Sequence, residues 1–283
     1  MIKLGAYNTL HISDNTDFGL YLEDAYGDRV LLPKRHLPDG LDSAGKLTVF
    51  VYLDSEDRPV ATTQRPLVTV GECAALRVKE INHYGAFMDW GLDKDLLLPY
   101  NEQHKPMEEG RRYVVYVYLD ARTDRIVASS RLSHHLSEAA GHLKPGQEVD
   151  LLICGRSDMG YKAVINNTHL GLVYKDEAFR ALHYGSTVRG FVKSIRPDQK
   201  INLSLQRPAQ RGREELSSKI LDYLHAHGGV STITDKSPPN EIYDTFQVSK
   251  SNYKKALGAL YKLRKIRIEK DKISLADGSV GIV

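Results

Sequence analysis

Residues 50–54 read Phe-Val-Tyr-Leu-Asp, and 66 positions later residues 116–120 read Tyr-Val-Tyr-Leu-Asp. The same offset carries Asp17-Phe18-Gly19-Leu20-Tyr21 onto His83-Tyr84-Gly85-Ala86-Phe87, and Leu31-Leu32-Pro33 onto Leu97-Leu98-Pro99. Arg65, after Thr62-Thr63-Gln64, meets Arg131, after Ser129-Ser130. Blocks that hold one period define an internal duplication, which restricts the possible folds more than any local propensity does. A more diverged third copy follows. Gly71 and Gly85 find partners 75 residues on in Gly146 and Gly160, and Ser204-Leu205-Gln206-Arg207-Pro208 echoes Thr62-Thr63-Gln64-Arg65-Pro66. Three β-rich units are expected at 1–66, 67–135 and 143–208, and a different module at 213–276.

Inside each unit the apolar runs are short, rich in Val, Ile, Tyr, Phe and Thr, and broken by Gly, Asp, Asn or Pro. Leu47–Leu53 and Val114–Leu119 read as strands, each followed by a polar turn beginning at Asp54 or Asp120. About five strands in some 65 residues are too few for two full sheets. A small closed barrel removes the unpaired edges at that size.

After Pro208 the period changes. Leu216, Ile220, Leu221 and Leu224 recur at helical spacing and stop at Gly228-Gly229. A second helix is expected from Pro238-Pro239, and Ser249 is placed to cap a third that ends near Lys265. Its apolar face is Tyr253, Ala256, Leu260 and Leu263, with Lys254, Lys255, Lys262 and Lys265 broadly opposite. Ile266–Lys270 and Lys272–Leu275 form a hairpin around Asp271. Three helices and a hairpin make a winged helix, whose third helix commonly enters a nucleic-acid groove. Residues 209–276 carry thirteen basic and eight acidic side chains, a net +5, while the whole chain is only +3. Such a field favours a polyanionic partner, although a solvated basic face explains it equally well. Candidate contacts in this module are Lys250, Asn252, Lys254, Lys265 and Lys270, to duplex DNA, RNA or protein.

No strand–GxxxxGK[ST]–helix loop, paired CxxC or HExxH is present, so neither a cofactor nor a metal is expected, and catalysis is a poor reading. Cys73 and Cys154 stand alone in strand-like runs and read as small buried hydrophobes. The N-terminus lacks the apolar core of a signal peptide and no long apolar run is present, so no membrane association is expected.

The stretch Glu80-Ile81-Asn82-His83-Tyr84-Gly85-Ala86-Phe87-Met88 resembles the central strand pair of S1-type RNA-binding domains, a branch of the OB-fold. Residues 117–120 with Arg125–Ser129 resemble the end of such a domain. Over its full length, including Leu97-Leu98-Pro99 and Asp244-Thr245-Phe246, the chain resembles the conserved virulence factor B (YitL-like) family of bacteria. That resemblance implies a mostly β fold of three tandem S1-like OB barrels followed by an α/β winged-helix domain. It also implies cytoplasmic RNA binding and an influence on virulence or stress genes. It places stacking residues at Phe18 and Tyr21, and at Tyr84 and Phe87, with Arg58 and Arg125 beside Asp54 and Asp120. In the third copy Met159 and Lys162 replace the rings, leaving Lys162 and Lys200 as backbone contacts for single-stranded RNA. The histidine common after the third strand of S1 domains is missing; Leu98 or Pro99 stands nearby. Residues three apart in a regular strand face opposite ways. Either the chain bends at Gly19 and Gly85, or one ring of each pair belongs to the core. Oligomeric state is not legible.

Overall fold

The computed structural model describes residues 1–38, 45–178, 181–206 and 211–276, with the side chains of the last segment from 215. Arg207 and Pro208, which end the third sequence echo, lie outside them.

Each repeat closes into a five-stranded barrel. The first uses β1 (Ala6–Thr16), β2 (Gly19–Glu23), β3 (Arg29–Pro33), β4 (Lys46–Leu53) and β5 (Pro59–Thr62). The second uses β6 (Cys73–Asn82), β7 (Gly85–Asp89), β8 (Leu96–Pro99), β9 (Arg112–Asp120) and β10 (Arg125–Ser129). The third uses β11 (Glu148–Arg156), β12 (Gly160–Ile165), β13 (His169–Tyr174), β14 (Thr187–Ile195) and β15 (Ile201–Ser204). In every barrel the first strand pairs with the second and fourth, and the third pairs in parallel with the fifth. Each first strand also slips register at the same point, between Ile12 and Asp14, Val78 and Glu80, and Ile153 and Gly155. An extra residue there bends the long strand, which lets so few strands close.

The second strands show how one glycine organises a barrel. Gly19, Gly85 and Gly160 have φ of +150°, +147° and +158°, where side chains are rarely tolerated. A Cβ on any of them would lie 2.1–2.3 Å from the facing carbonyl oxygen of Leu32, Leu98 or Val173. The backbone therefore turns sharply before alternation begins. Leu20 and Leu22, like Ala86 and Met88, then point into the barrels, and Tyr21 and Phe87 point out.

The first two barrels share an apolar joint. Phe50, Tyr52 and Val60 are buried in one cluster with the core of the second barrel. Trp90, 3% exposed, meets Phe50 edge-on at 5.8 Å and Tyr52 at 6.3 Å, and its Nε1 donates to the Lys94 carbonyl at 2.6 Å. Burying one indole of this size contributes roughly 4–6 kcal/mol of transfer free energy. The second and third barrels meet through Val114, Leu136 and Val164, flanked by Cys73 and Cys154. Tyr184 adds a polar tie here, its hydroxyl accepting from the Val114 N–H at 2.7 Å. Burial pushes the Cys73 thiol up to about 12 and the Cys154 thiol to about 11, so both stay protonated and act as packing residues.

The C-terminal domain holds α1 (Arg211–Ala226), α2 (Pro239–Phe246) and α3 (Lys250–Lys262) over a three-stranded sheet of β16 (Val230–Ser231), β18 (Ile273–Leu275) and β17 (Ile266–Ile268). The two-residue β16 has no sequence signal of its own and completes the sheet. The helix expected to end near Lys265 stops at Lys262, with Arg264 in the left-handed region at φ +55°. Leu263, expected in the core, is 66% exposed. Tyr253 is fully buried and its hydroxyl donates to the Ile233 carbonyl at 2.9 Å.

Candidate nucleic-acid interface

Phe18 and Tyr84 sit in the turns before the strand glycines, so they escape the strand alternation that constrains Tyr21 and Phe87. Phe18 is 79% exposed and Tyr84 64%, while Tyr21 and Phe87 are half-buried on the outer faces of β2 and β7. None of the four rings belongs to a barrel core. The glycine bend, left open by the sequence, is what puts both rings of each pair outside.

Two basic residues border Phe18 and Tyr21, of which Arg29 also lies 3.7 Å from both Asp14 and Glu23. The Arg29 guanidinium lies 4.9 Å from the Tyr21 ring centre, and exposed Lys34 donates its backbone N–H to the Phe18 carbonyl. Tyr84 is extended by two further aromatic groups. His83 lies 3.9 Å from it, ring to ring, and half-exposed Tyr100 anchors its hydroxyl on the Asn82 carbonyl at 2.7 Å. Tyr100 occupies the repeat position of Lys34, a correspondence the 66-residue offset already contains.

The arginine–aspartate pairs are divided between the barrels. Arg58 grips Asp54 Oδ2 through Nε and Nη2 at 2.9 and 2.8 Å and reaches Glu56 at 2.8 Å. Burial tends to raise the Asp54 carboxyl, but the Arg58 N–H, its guanidinium and the Glu56 N–H outweigh it and hold the group below the usual carboxylate range. Arg125 departs from expectation. Asp120 takes the Thr123 hydroxyl and the Arg122 N–H, while Arg125 Nη2 binds Asp57 of the first barrel. Asp57 also accepts from Lys94 Nζ at 3.0 Å, and Lys94 donates to the Asp54 carbonyl at 2.6 Å. A cleft of about 340 Å³ opens at this junction, lined by Tyr84, Phe87, Leu97, Arg125, Lys94 and Asp57 among others. Lys94, Asp57 and Trp90 carry no repeat signature as a group, so sequence reasoning missed them.

In the third barrel Met159 is 56% exposed and Lys162 is exposed. Tyr161 lies half-buried under Arg156, whose guanidinium is 5.7 Å from the ring centre. Exposed Lys200 is 3.8 Å from Glu138.

The winged helix reassigns two of its five candidates. Asn252 Nδ2 donates to Gln206 Oε1 at the end of the third barrel, and Ser249, the α3 cap, donates to the same oxygen at 3.4 Å. Lys250 Nζ donates to the Lys236 and Ser237 carbonyls at 3.1 and 2.9 Å, tying α3 to the turn before α2. Short-range helix spacing predicts a polar surface but not which side chains another segment will claim. Lys254 lies 3.8 Å from Asp235 and stays exposed, as do Lys265 and Lys270. Tyr261, 57% exposed, stands on the same stretch of α3.

Among the described residues no group of His, Cys, Asp and Glu has metal-ligating geometry, and no helix is long and apolar enough to cross a membrane.

Closed five-stranded barrels with outward rings, joined to a winged helix, define a protein built from nucleic-acid-binding modules. The S1 domain family matches residues 4–64 and 70–131, and the CvfB-like winged helix domain family matches 218–275. The chain belongs to the conserved virulence factor B (YitL-like) family. It is 28% identical to YitL of Bacillus subtilis, over 94% of this chain and 91% of that protein. It is 26% identical to conserved virulence factor B of Staphylococcus haemolyticus, over 90% and 88%. A crystal structure of a multidomain protein with nucleic acid binding domains from Streptococcus pneumoniae TIGR4 aligns with 96% of this chain and 98% of its own, at 24% identity and a TM-score of 0.40.

Proposed function

We propose that this chain is a non-enzymatic protein that binds single-stranded RNA and regulates gene expression after transcription. One observation carries the reading: the first two barrels each hold an aromatic pair on the outside, with Phe18 and Tyr84 largely exposed. Unpaired bases offer π faces that stack on such rings, whereas a duplex hides them. Arg29 and Lys34 beside the first pair, and Arg125 and Lys94 beside the second, supply charge for the backbone, and Arg58 adds an exposed guanidinium on the turn after β4. Lys162 and Lys200 give the third barrel a cationic surface without rings, so it contributes electrostatically. The relatives named conserved virulence factor B favour a regulatory role, and the module set favours a cytoplasmic one. The winged helix adds contacts through Lys254, Lys265 and Lys270, to the same RNA or to duplex DNA.

Fluorescence anisotropy with single-stranded RNA and duplex DNA at two salt concentrations tests this. Each lost stacking contact costs about 1–3 kcal/mol. The double variant Tyr84→Ala/Phe87→Ala should therefore weaken RNA binding by at least tenfold, and Phe18→Ala/Tyr21→Ala should do likewise. RNA binding unchanged in both double variants would overturn the reading. Stronger binding to duplex DNA, with a steep salt dependence, would shift it to the winged helix.

A further inference from the structure

The junction of the first two barrels brings together three features that neither barrel has alone. Tyr84 and Phe87 of the second barrel and Ser55 and Asp57 of the first line one cleft, and two of its cations, Lys94 and Arg125, meet on the Asp57 carboxylate. Asp57 is held there by its backbone, with φ +60°. Asp124 and Gln199 occupy the matching left-handed turn positions in the other barrels, at +53° and +65°, so the turn is a repeat feature. Its use is not repeated: Arg58 is bound by Asp54 and Glu56 of its own turn, whereas Arg125 is bound across the junction. Lys94, followed by Arg125, holds the Asp57 carboxyl below its usual range, so it is an anion at neutral pH. Its side chain is nevertheless about a third exposed, as are those of Lys94 and, more so, Arg125. Exposed ion pairs contribute little stability, and guanidinium binds phosphate through charge-assisted bonds at least as well as carboxylate. A volume of about 340 Å³ lies at the low end of small-ligand sites.

We propose that this cleft takes one unpaired nucleotide of a bound strand, its base against Tyr84 and Phe87 and its phosphate replacing Asp57 on Arg125 and Lys94. The first barrel thus completes the site of the second, and Asp57 is an anionic guard that only a competing phosphate displaces. This rests on the single-strand reading above and deepens it.

The test is anisotropy of the full chain with a fluorescent twelve-nucleotide RNA of mixed sequence, across a salt series. Asp57→Asn suits the left-handed position and keeps the shape of the side chain while removing the charge. It should tighten binding, and it should steepen the dependence of log affinity on log salt by about 0.7 for each cation released to phosphate. Asp57→Asn/Arg125→Gln should return both toward wild type. Trp90 fluorescence, read from the same samples, shows whether the barrel joint survives each substitution. If Asp57→Asn leaves affinity and slope unchanged or weakens binding with the joint intact, while Tyr84→Ala/Phe87→Ala still weakens it, the guarded cleft is wrong and the single-strand reading stands. Loss of effect in the ring variants as well would remove both.

Discussion

Gly85→Ala isolates the feature that repeats most faithfully through the chain. The new methyl would lie 2.3 Å from the Leu98 carbonyl oxygen, 3.0 Å from Pro99 Cα and 3.1 Å from the Leu98 carbonyl carbon. All three are backbone atoms of β8, paired to β7 in the register Gly85 opposite Pro99. They cannot move aside as a flexible side chain would, so the β7–β8 ladder must open. Holding alanine near φ +147° costs about 1–3 kcal/mol, and each ladder hydrogen bond lost adds about 1 kcal/mol. The expected destabilisation is roughly 2–5 kcal/mol. Gly27→Ala is the control: φ is +86° there, but nothing lies within 4 Å of the added Cβ. It should cost only the backbone strain, about 1–2 kcal/mol. Urea unfolding followed through Trp90 suits the comparison, because it is the sole tryptophan and sits in the joint of the first two barrels. Gly85→Ala should also weaken RNA binding, since Tyr84 is displaced relative to Phe87. Equal losses of stability in the two variants would refute the close-approach argument.

Two further outcomes follow from the charges. Asp54 and Asp57 both have carboxyls held below the ordinary 3.8 when folded, so protonation is harder in the folded chain than in the unfolded one. Their contribution is complete above that value and is lost as pH falls through the depressed folded values. Stability followed through Trp90 should begin to fall below about pH 6.5, because burial keeps His36 neutral in the folded chain, and should drop further below about pH 4 as Asp54 and Asp57 protonate; Asp57→Asn should shrink the second step. In the winged helix, Lys254→Gln/Lys265→Gln should reduce the salt slope of nucleic-acid binding by about 0.7 per contact removed. Asn252→Ala should leave that slope unchanged and lower thermal stability instead, because its amide is bound to Gln206. A salt slope that responds to Asn252→Ala and ignores the lysines would reverse these assignments.

Periodicity in the chain was sufficient to announce three barrels, the helical spacing after 213 to announce a winged helix, and the Phe18/Tyr21 and Tyr84/Phe87 pairs to mark the faces. These features recur at a constant offset or a constant helical step, so local chemistry repeats wherever the letters do. What the tertiary structure decided lies between the units. It settled that Arg125 pairs with Asp57 and not Asp120, that Lys94 and Trp90 build a cleft with the neighbouring barrel, and that Asn252 is claimed by Gln206. Duplicated sequences describe each barrel in the same terms and carry no record of which surface will meet a neighbour. That choice depends on single side chains meeting across 30 to 70 residues of chain, where loop closure and packing, and not any repeating pattern, select the partner.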